Sequence, residues 1–551
     1  MGHKYKHWNA LSQESPQNFT NLRNIIYANR QFSSVSKLDY GDYGLEAALE
    51  AIALAIQSNK RIALYADYDV DGTMSCVSWI WFLRAIGYHN FFHYIPDRFK
   101  EGYGVNLPAI QHLVRDRKAE LIITMDTGIT ANEEARWCRE QGVLFICTDH
   151  HKIQAEKMPD CIILNPKLHP HPDYQELCGC GITFVLLRKL GKIFNPPTAI
   201  WTDLLALAGM ATLCDVVPLT GVNHKLTQQG VYALTQSQRP VLKKLLRASS
   251  LEQHVDEKDI GFRLGPRINA VGRLDHADKV IDAFIGEDDS AADILISYMG
   301  VCNEKRKLIQ AEIVTEAQAQ ALAYPDDPIL FLGSEAWHQG VVGIAASKIA
   351  ERFWKPVWLF QKQKGSGIGK GSARSIPGFD VTDAMSSVRE LFLKFGGHSA
   401  AGGFSFPLEN EELLRRKIGE FAGELRAQKP ELWDSVISYD CPLPLDLARL
   451  ELTEELHSLK PFGHRFMEPM FLISSRITSV KFYKDKVTGQ NKHTAVEVEG
   501  SGGSKHKIMF FNEVHDSLQR GLEADFLVTA TQNHWQGQRS LSLLGSDYSL
   551  Q

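Results

Sequence analysis

The sequence has no run approaching the roughly 18–20 consecutive apolar residues that a bilayer-spanning helix needs. Its most apolar stretch, Leu204 to Cys214, is about half that length and reads as a buried helix. The amino-terminal Met1-Gly-His-Lys-Tyr-Lys-His-Trp8 lacks the apolar centre of a secretory signal. The nine cysteines are scattered, with no C-x-x-C pair, and Cys178-Gly179-Cys180 alone is too little for a zinc site. These absences lead to the expectation of a reduced, cytoplasmic protein. Positive charge is not in excess either: 60 Lys and Arg face 65 Asp and Glu, a formal charge of −5. That balance does not announce a nucleic-acid binder, since phosphate backbones favour a positive surface. It does not exclude one, because a basic groove and an acidic centre cancel in the sum. Internal repeats and low-complexity tracts are missing as well.

What is present is 551 residues of ordinary globular composition, 44% hydrophobic and 23% charged, enough for several domains. The first half alternates apolar runs with amphipathic stretches, as a parallel α/β sheet does. Strands are expected at Arg61–Ala66, Phe91–Ile95, Leu121–Met125, Val143–Cys147 and Cys161–Leu164, with helices near Thr73–Ile86 and Asn132–Gln141. Their continuous rather than alternating apolar character suits strands covered on both faces. From Ala277 to Ala323 there is no Pro and only two Gly, which predicts long joining helices. A second α/β pattern follows, with a strand at Pro328–Leu332, a helix at Val342–Phe353, a strand at Val357–Phe360 and a glycine-rich end at Phe395–Gly403. Five short alternating segments after residue 434 suggest a small barrel of OB type. The expected division is an N-terminal extension (1–40), a first α/β domain (41–240), a helical connector (241–325), a second α/β domain (326–430) and the barrel (434–551).

The chemistry concentrates in Asp67-Tyr-Asp-Val-Asp-Gly72, between an expected strand and an expected helix. Three carboxylates at alternate positions repel one another unless a cation holds them. An EF-hand opens in the same way but lies between two helices, and Trp79 stands near the place of its closing Glu. Asp126 follows the third strand, Asp149-His150-His151 the fourth, and Asp215 the apolar helix ending at Cys214. Ligands of open parallel sheets gather at the carboxyl ends of the strands, which is where these residues are delivered. Carboxylates with one or two imidazoles suit Mn²⁺ or Mg²⁺. Five or six such ligands can bridge two ions roughly 3.5–4 Å apart, the arrangement that activates water in phosphoryl displacement. A two-metal phosphoesterase centre is therefore expected, with His151 either a ligand or a group facing the phosphate.

In order and spacing, these four motifs resemble those of the DHH phosphoesterase superfamily. Asp97–Gly104, Leu264–Arg273, Trp337–Gly343, Gly371–Ser375 and Phe395–His398 narrow the resemblance to its RecJ family, bacterial single-strand-specific 5′-to-3′ DNA exonucleases. The resemblance implies metal ligands at Asp67, Asp69, Asp71, Asp126, His150 and Asp215, with His151 beside the scissile phosphate. It implies that Arg98, Ser372 and Arg374 hold the 5′ phosphate and that Arg267, Arg273, His338 and His398 line the cleft between the lobes. It further implies two bound Mn²⁺ or Mg²⁺ ions, a DHH domain joined to a DHH-associated domain and a barrel, and work in recombination and repair. Single-stranded DNA is the expected partner, with a single-strand-binding protein and a helicase as possible others, and a monomer is the default state. Two alternatives stay open: a DHH phosphodiesterase of short oligonucleotides or cyclic dinucleotides, and a non-catalytic replication scaffold.

Two departures stand out. Many relatives carry His where this chain has Tyr65, which leads to an expected change of metal preference rather than inactivity. The barrel entry, Pro461 to Pro469, also diverges. Within the barrel, Lys481, Phe482, Tyr483, Lys484, Lys486, Lys492, Lys505, Lys507, Trp535 and Arg539 interleave charge and ring as a strand-tracking surface would. Trp337 reads equally well as a core residue or a base-stacking one.

Overall fold

The structure, a computed structural model, describes residues 4–33, 35, 44–286, 289–500, 503–535 and 538–551, without the side chains of 289, 534 and 535. The chain divides into two compact units. One comprises Gln17–Asn303 with Glu451–Pro469, and the other comprises Met1–Pro16, Glu304–Leu450 and Met470–Gln551.

The first unit is built on five parallel strands, β1 (Ile62–Ala66), β2 (Phe91–Tyr94), β3 (Leu121–Met125), β4 (Leu144–Thr148) and β5 (Ile162–Leu164), in the order β2-β1-β3-β4-β5. Every residue of β1 and β3 is buried, because each face of the sheet has its own core. Leu64, Ala66, Ile123 and Met125 enter one cluster, while Ala63, Tyr65 and Ile122 enter the other. The chain leaves β1 for β2 on one side and returns to β3 on the other. The crevice therefore opens between the carboxyl ends of β1 and β3. The hydrogen-bond ladder continues one residue past each strand: Asp67 N donates to Met125 O, Asp126 N to Thr148 O and Asp149 N to Leu164 O. Three acidic residues are thereby fixed along one edge.

Helix α1 spans Val70–Ala85 and starts three residues before the expected position. Asp69 is its N-cap, its side chain accepting from the amides of Asp71 and Gly72. This draws part of the acidic segment into the first helical turn. Gly72 is required there, since a Cβ would stand 2.4 Å from the Asp67 carbonyl oxygen. Helices α2 (Gly179–Phe194), α3 (Ile200–Cys214), α4 (Gly221–Gln236) and α5 (Gly265–Leu274) follow. A five-residue π-helical segment, Ile260–Leu264, leads into α5. The joining helices are Asp278–Ile285 and the 33-residue α6 (Asp289–Ala321).

In the second unit, β6 (Leu330–Ser334), β7 (Val357–Gln363), β8 (Ile368–Arg374), β9 (Lys394–His398) and β10 (Ala401–Pro407) form a sheet ordered β9-β10-β8-β7-β6. Only the β6–β7 pair is parallel. Helix α7 (Val342–Phe353) matches its expected span. Phe331, Phe360, Phe404 and Phe406 pack in one aromatic cluster, in a core shared with helices Val381–Ser386 and Glu411–Gln428. The glycine-rich end is a hairpin of β9 and β10, not a loop, with Gly397 opposite Gly402.

The five expected barrel strands are present and longer than their apolar segments: β11 (Met470–Lys484), β12 (Asn491–Glu499), β13 (Lys505–Phe510), β14 (Glu523–Trp535) and β15 (Gln538–Leu550). Pairing of β11 with both β12 and β14 closes the barrel. The amino terminus is tied to this unit. His7–Ala10 pairs in parallel with Val436–Tyr439, and buried Asp547 accepts from Lys4 N, Tyr5 N and the Trp8 indole. Among the described residues, no helix is long and apolar enough to cross a membrane.

Candidate metal centre and phosphate-binding residues

At the crevice between β1 and β3, potential ligand atoms converge in two separate groups, Asp67/Asp69/Asp126 and Asp71/His150/Asp215. Together they contain the six expected ligands, each supplying an atom within 4.8 Å of the others in its group. A third group, Asp126/His150/His151, overlaps them. His150 Nε2 lies 3.1 Å from Asp126 Oδ1, 3.4 Å from Asp215 Oδ2 and 3.8 Å from Asp71 Oδ2. Asp126 sits in the left-handed region at φ 59°, a conformation Asp tolerates, which turns the chain sharply off β3.

The donor set tests well as a cation site. Asp67, Asp71 and Asp126 are nearly inaccessible to solvent. Asp67 Oδ1, Asp126 Oδ1 and Asp215 Oδ2 are buried and accept no hydrogen bond from the described residues. Buried oxygens in that condition are costly unless something positive meets them. Burial, together with the neighbouring aspartates, pushes Asp67, Asp126 and Asp215 well above the usual carboxylate range. Asp71 rises less, to about 6, also from burial and the field of Asp69. It is relieved by the amino terminus of α2, where Gly179 N donates to Oδ2 at 2.6 Å and Cys180 N to Oδ1 at 2.8 Å. The Cys-Gly-Cys segment thus serves the site through the Gly179 and Cys180 amides, with the Cys178 side chain adding to the same relief. Gly179 is needed because a Cβ would lie 2.8 Å from the Asp126 Cβ.

Asp149, which ends β4 with the two histidines, is used differently. Its carboxylate accepts from Ile129 N at 2.9 Å and His151 N at 3.1 Å, and it lies 2.7 Å from His151 Nδ1. Burial would raise it, but the His151 contact holds it below the ordinary value. The converse applies to His151: burial lowers it, while the Asp149 bond and the field of Asp149, Asp67 and Asp69 win, lifting it to about 9. The Tyr103 hydroxyl meets its Nε2 at 2.9 Å. Asp149→Asn removes the anion that fixes this imidazole. Hydrolysis is expected to fall about 10–100-fold, as for other groups that orient a ligand or catalytic side chain. Mn²⁺ affinity, read by calorimetric titration, should stay within about threefold, and a parallel loss of affinity would refute the assignment.

Other expected residues surround the acidic segment. Arg98 stacks over the Tyr68 ring, 4.8 Å from its centroid, and its charge is felt at Asp67. Arg273 lies near enough to Tyr68 to bias its hydroxyl. Arg267 is further along, against Gly300 of α6. Asn269, which the sequence did not single out, accepts from Val70 N at 2.9 Å and pins the start of α1. Tyr65 is fully buried, and its hydroxyl donates to Gly104 O at 3.1 Å, tethering the Arg98 segment.

His338, Ser372, Arg374 and His398 belong to the second unit. Ser372 and Arg374 are brought together on β8, with Arg374 Nη1 donating to Ser372 Oγ at 2.6 Å. His338 Nδ1 accepts from Gly340 N in the turn before α7, which leaves the ring proton on Nε2. His398 ends β9 and is exposed. Trp337 is a core residue, 1% exposed, its indole donating to Glu316 at 2.7 Å. In the barrel, Lys481 and Lys507 flank the Tyr483 ring, whereas Lys492 is paired with Asp485 at 2.7 Å. The side chain of Trp535 lies outside the described residues.

The parallel sheet with this strand-edge acidic centre places the chain in the DHH class, and the family comparison agrees. Residues 61–210 match the DHH family N-terminal domain, residues 326–424 the DHHA1 domain and residues 439–547 the RecJ OB domain. The chain is 31% identical to the single-stranded-DNA-specific exonuclease RecJ of Salmonella typhimurium, over 97% of this chain and 96% of that protein. It is equally similar to the Bacillus subtilis protein of that name over 92% of this chain, but spans only 63% of that relative's length. A crystal structure of RecJ from Thermus thermophilus in complex with Mn²⁺ superposes with a TM-score of 0.82 at 25% identity, covering 98% of this chain and 79% of that one. The chain belongs to the RecJ family.

Proposed function

We propose that this protein is a divalent-cation-dependent exonuclease that degrades single-stranded DNA from its 5′ end to 5′-mononucleotides, in recombination and repair. The observation carrying this reading is the pair of three-residue groups at the β1/β3 crevice, in which buried oxygens of Asp67, Asp126 and Asp215 accept no hydrogen bond from the described residues. In this reading Asp67, Asp69 and Asp126 hold one Mn²⁺ or Mg²⁺ and Asp71, His150 and Asp215 the second. Cations bound there supply Lewis-acid polarisation of the phosphodiester and a lowered pKa for attacking water.

The protein's own groups do the rest. His151, oriented by Asp149 and protonated near neutrality in the cation-free protein, presents Nε2–H to the phosphate or the departing oxygen. Arg98 recognises a phosphate of the strand and Arg374 its 5′-terminal phosphate, for which planar guanidinium donors are suited. Capping that phosphate fixes the scissile bond a set distance inward and so sets direction. The 434–551 barrel tracks the strand through Lys481, Tyr483 and Lys507, a cation–ring pattern common in single-strand readers. Domain roles follow the 41–240, 241–325, 326–430 and 434–551 division.

A single-stranded oligonucleotide labelled at its 3′ end tests this directly. Progressive shortening from the 5′ end with Mn²⁺ or Mg²⁺, and none with EDTA, is the expected result. Cleavage confined to dinucleotides or cyclic substrates would replace the proposal with a small-nucleotide phosphodiesterase.

A further inference from the structure

Arg374 lies against the first turn of α7, an electrostatically awkward place for a cation, because helix amides turn their positive end to it. Three hydrogen bonds hold it there. Nη1 donates to Ser372 Oγ at 2.6 Å and to Ala373 O at 2.7 Å, and Nε donates to Ser347 Oγ at 3.1 Å. Ser372 Oγ in turn donates to Gly402 O at 3.2 Å, tying this end to the neighbouring strand. Ser347 comes from the second turn of α7, and nothing in its sequence context marks it.

We infer that Ser347 is a positioning residue for recognition of a terminal phosphomonoester, acting through Arg374; this rests on the terminal-phosphate role proposed above for Arg374. The geometry of the hydroxyl supports the assignment. Its hydrogen points to Gly343 O at 3.4 Å, one helical turn back, so its lone pairs face Arg374 Nε. The Nε bond sets rotation about the end of the side chain, which the two Nη1 bonds alone do not fix. The turn is also shaped for close approach. A Cβ on Gly343 would stand 3.1 Å from Arg374 Nη2 and 3.2 Å from Ser372 Oγ. A guanidinium and a helix amino terminus side by side repel each other, and an anion bound between them is attracted to both. A terminal phosphate, with nearly two charges at neutral pH, gains more from that pairing than an internal diester with one.

A serine that merely satisfies itself within its helix would give the same coordinates but a different enzymology. The experiment compares kcat/KM on oligonucleotides identical except for a 5′-phosphate or 5′-hydroxyl, using the full chain and its Ser347→Ala and Ser347→Thr variants. The wild type prefers the phosphate. Ser347→Ala loses about tenfold of that preference, mainly through KM, with the rate on 5′-hydroxyl strands and the melting temperature nearly unchanged. Ser347→Thr, which keeps the hydroxyl, restores most of it. A preference unchanged in Ser347→Ala overturns this inference alone, as does an equal loss on both substrates. A wild type indifferent to the 5′-phosphate overturns the terminal-phosphate reading and the inference with it.

Discussion

Replacing Asp126 by Asn is expected to lower single-strand hydrolysis at least about a thousandfold while raising the melting temperature of the cation-free protein. Asp126 is the one carboxylate shared by two of the three ligand groups, so its charge bears on both proposed cation positions. A thousandfold loss corresponds to about 4 kcal/mol of transition-state stabilisation, within what Lewis-acid assistance supplies. The opposite effect on stability follows from the electrostatics. Burial and the neighbouring Asp71, Asp69, Asp215 and Asp67 all disfavour the ionised form of Asp126, so removing its charge relieves repulsion. Asn is also the right replacement for the backbone, because it tolerates the left-handed conformation at this position.

The more obvious Asp69→Ala is less informative. Asp69 caps α1, and loss of that cap costs about 1 kcal/mol by itself. Single-turnover rates and thermal melts in EDTA check the paired outcome. A variant that loses both activity and stability would mean that Asp126 serves the fold.

In EDTA, thermal stability should fall as pH rises from about 5.5 to 8.5, and added Mn²⁺ should restore it by an amount that grows with pH. The sign follows from the folded-state shifts. Asp67, Asp126 and Asp215 stand well above the ordinary carboxylate value, and Asp71 reaches about 6. A group raised on folding contributes stability below its unfolded value and loses it as pH climbs through the folded one. His151, raised to about 9, adds the same trend at the upper end. Asp149 is lowered instead, so its contribution is lost only in acid, below this window.

Cations compete with the protons on these carboxylates, hence the stronger rescue at high pH. At a hundredfold excess over the dissociation constant the gain is about 2.7 kcal/mol. That moves the midpoint of a unit of about 300 residues by roughly 4 °C. Differential scanning fluorimetry across the pH series checks both parts. A flat EDTA profile, or an Mn²⁺ effect independent of pH, would mean that the carboxylates are compensated by something other than cations.

Much of this was legible in the residues. Continuous apolar strands, each followed by Asp or Asp-His-His, specified a doubly covered parallel sheet and the edge on which its ligands gather. The motif spacing carried the family, and the α7 and β3 spans agree with the periodicity of their residues. These features are local: burial on both faces and the turn after a strand are written within a few residues.

What only the tertiary structure decided depends on contacts distant in sequence. Asp71 and the Gly179–Cys180 amides are over a hundred positions apart, so the acidic segment could not reveal which of its carboxylates is eased by a helix terminus. Asp149 and His150 look alike as neighbours in one motif, yet the pleat sends one carboxylate to Ile129 and His151 and the adjacent imidazole to Asp71, Asp126 and Asp215. Trp337 was undecided until Glu316 appeared against its indole, and Ser347 had no signature until β8 placed Arg374 across from it. Residue types and strand ends determined that carboxylates and imidazoles able to hold cations would gather at one edge of the sheet. Packing between separated elements determined which of these groups converge and which hold their neighbours, because burial and hydrogen-bond partnership are properties of the folded neighbourhood and not of the chain.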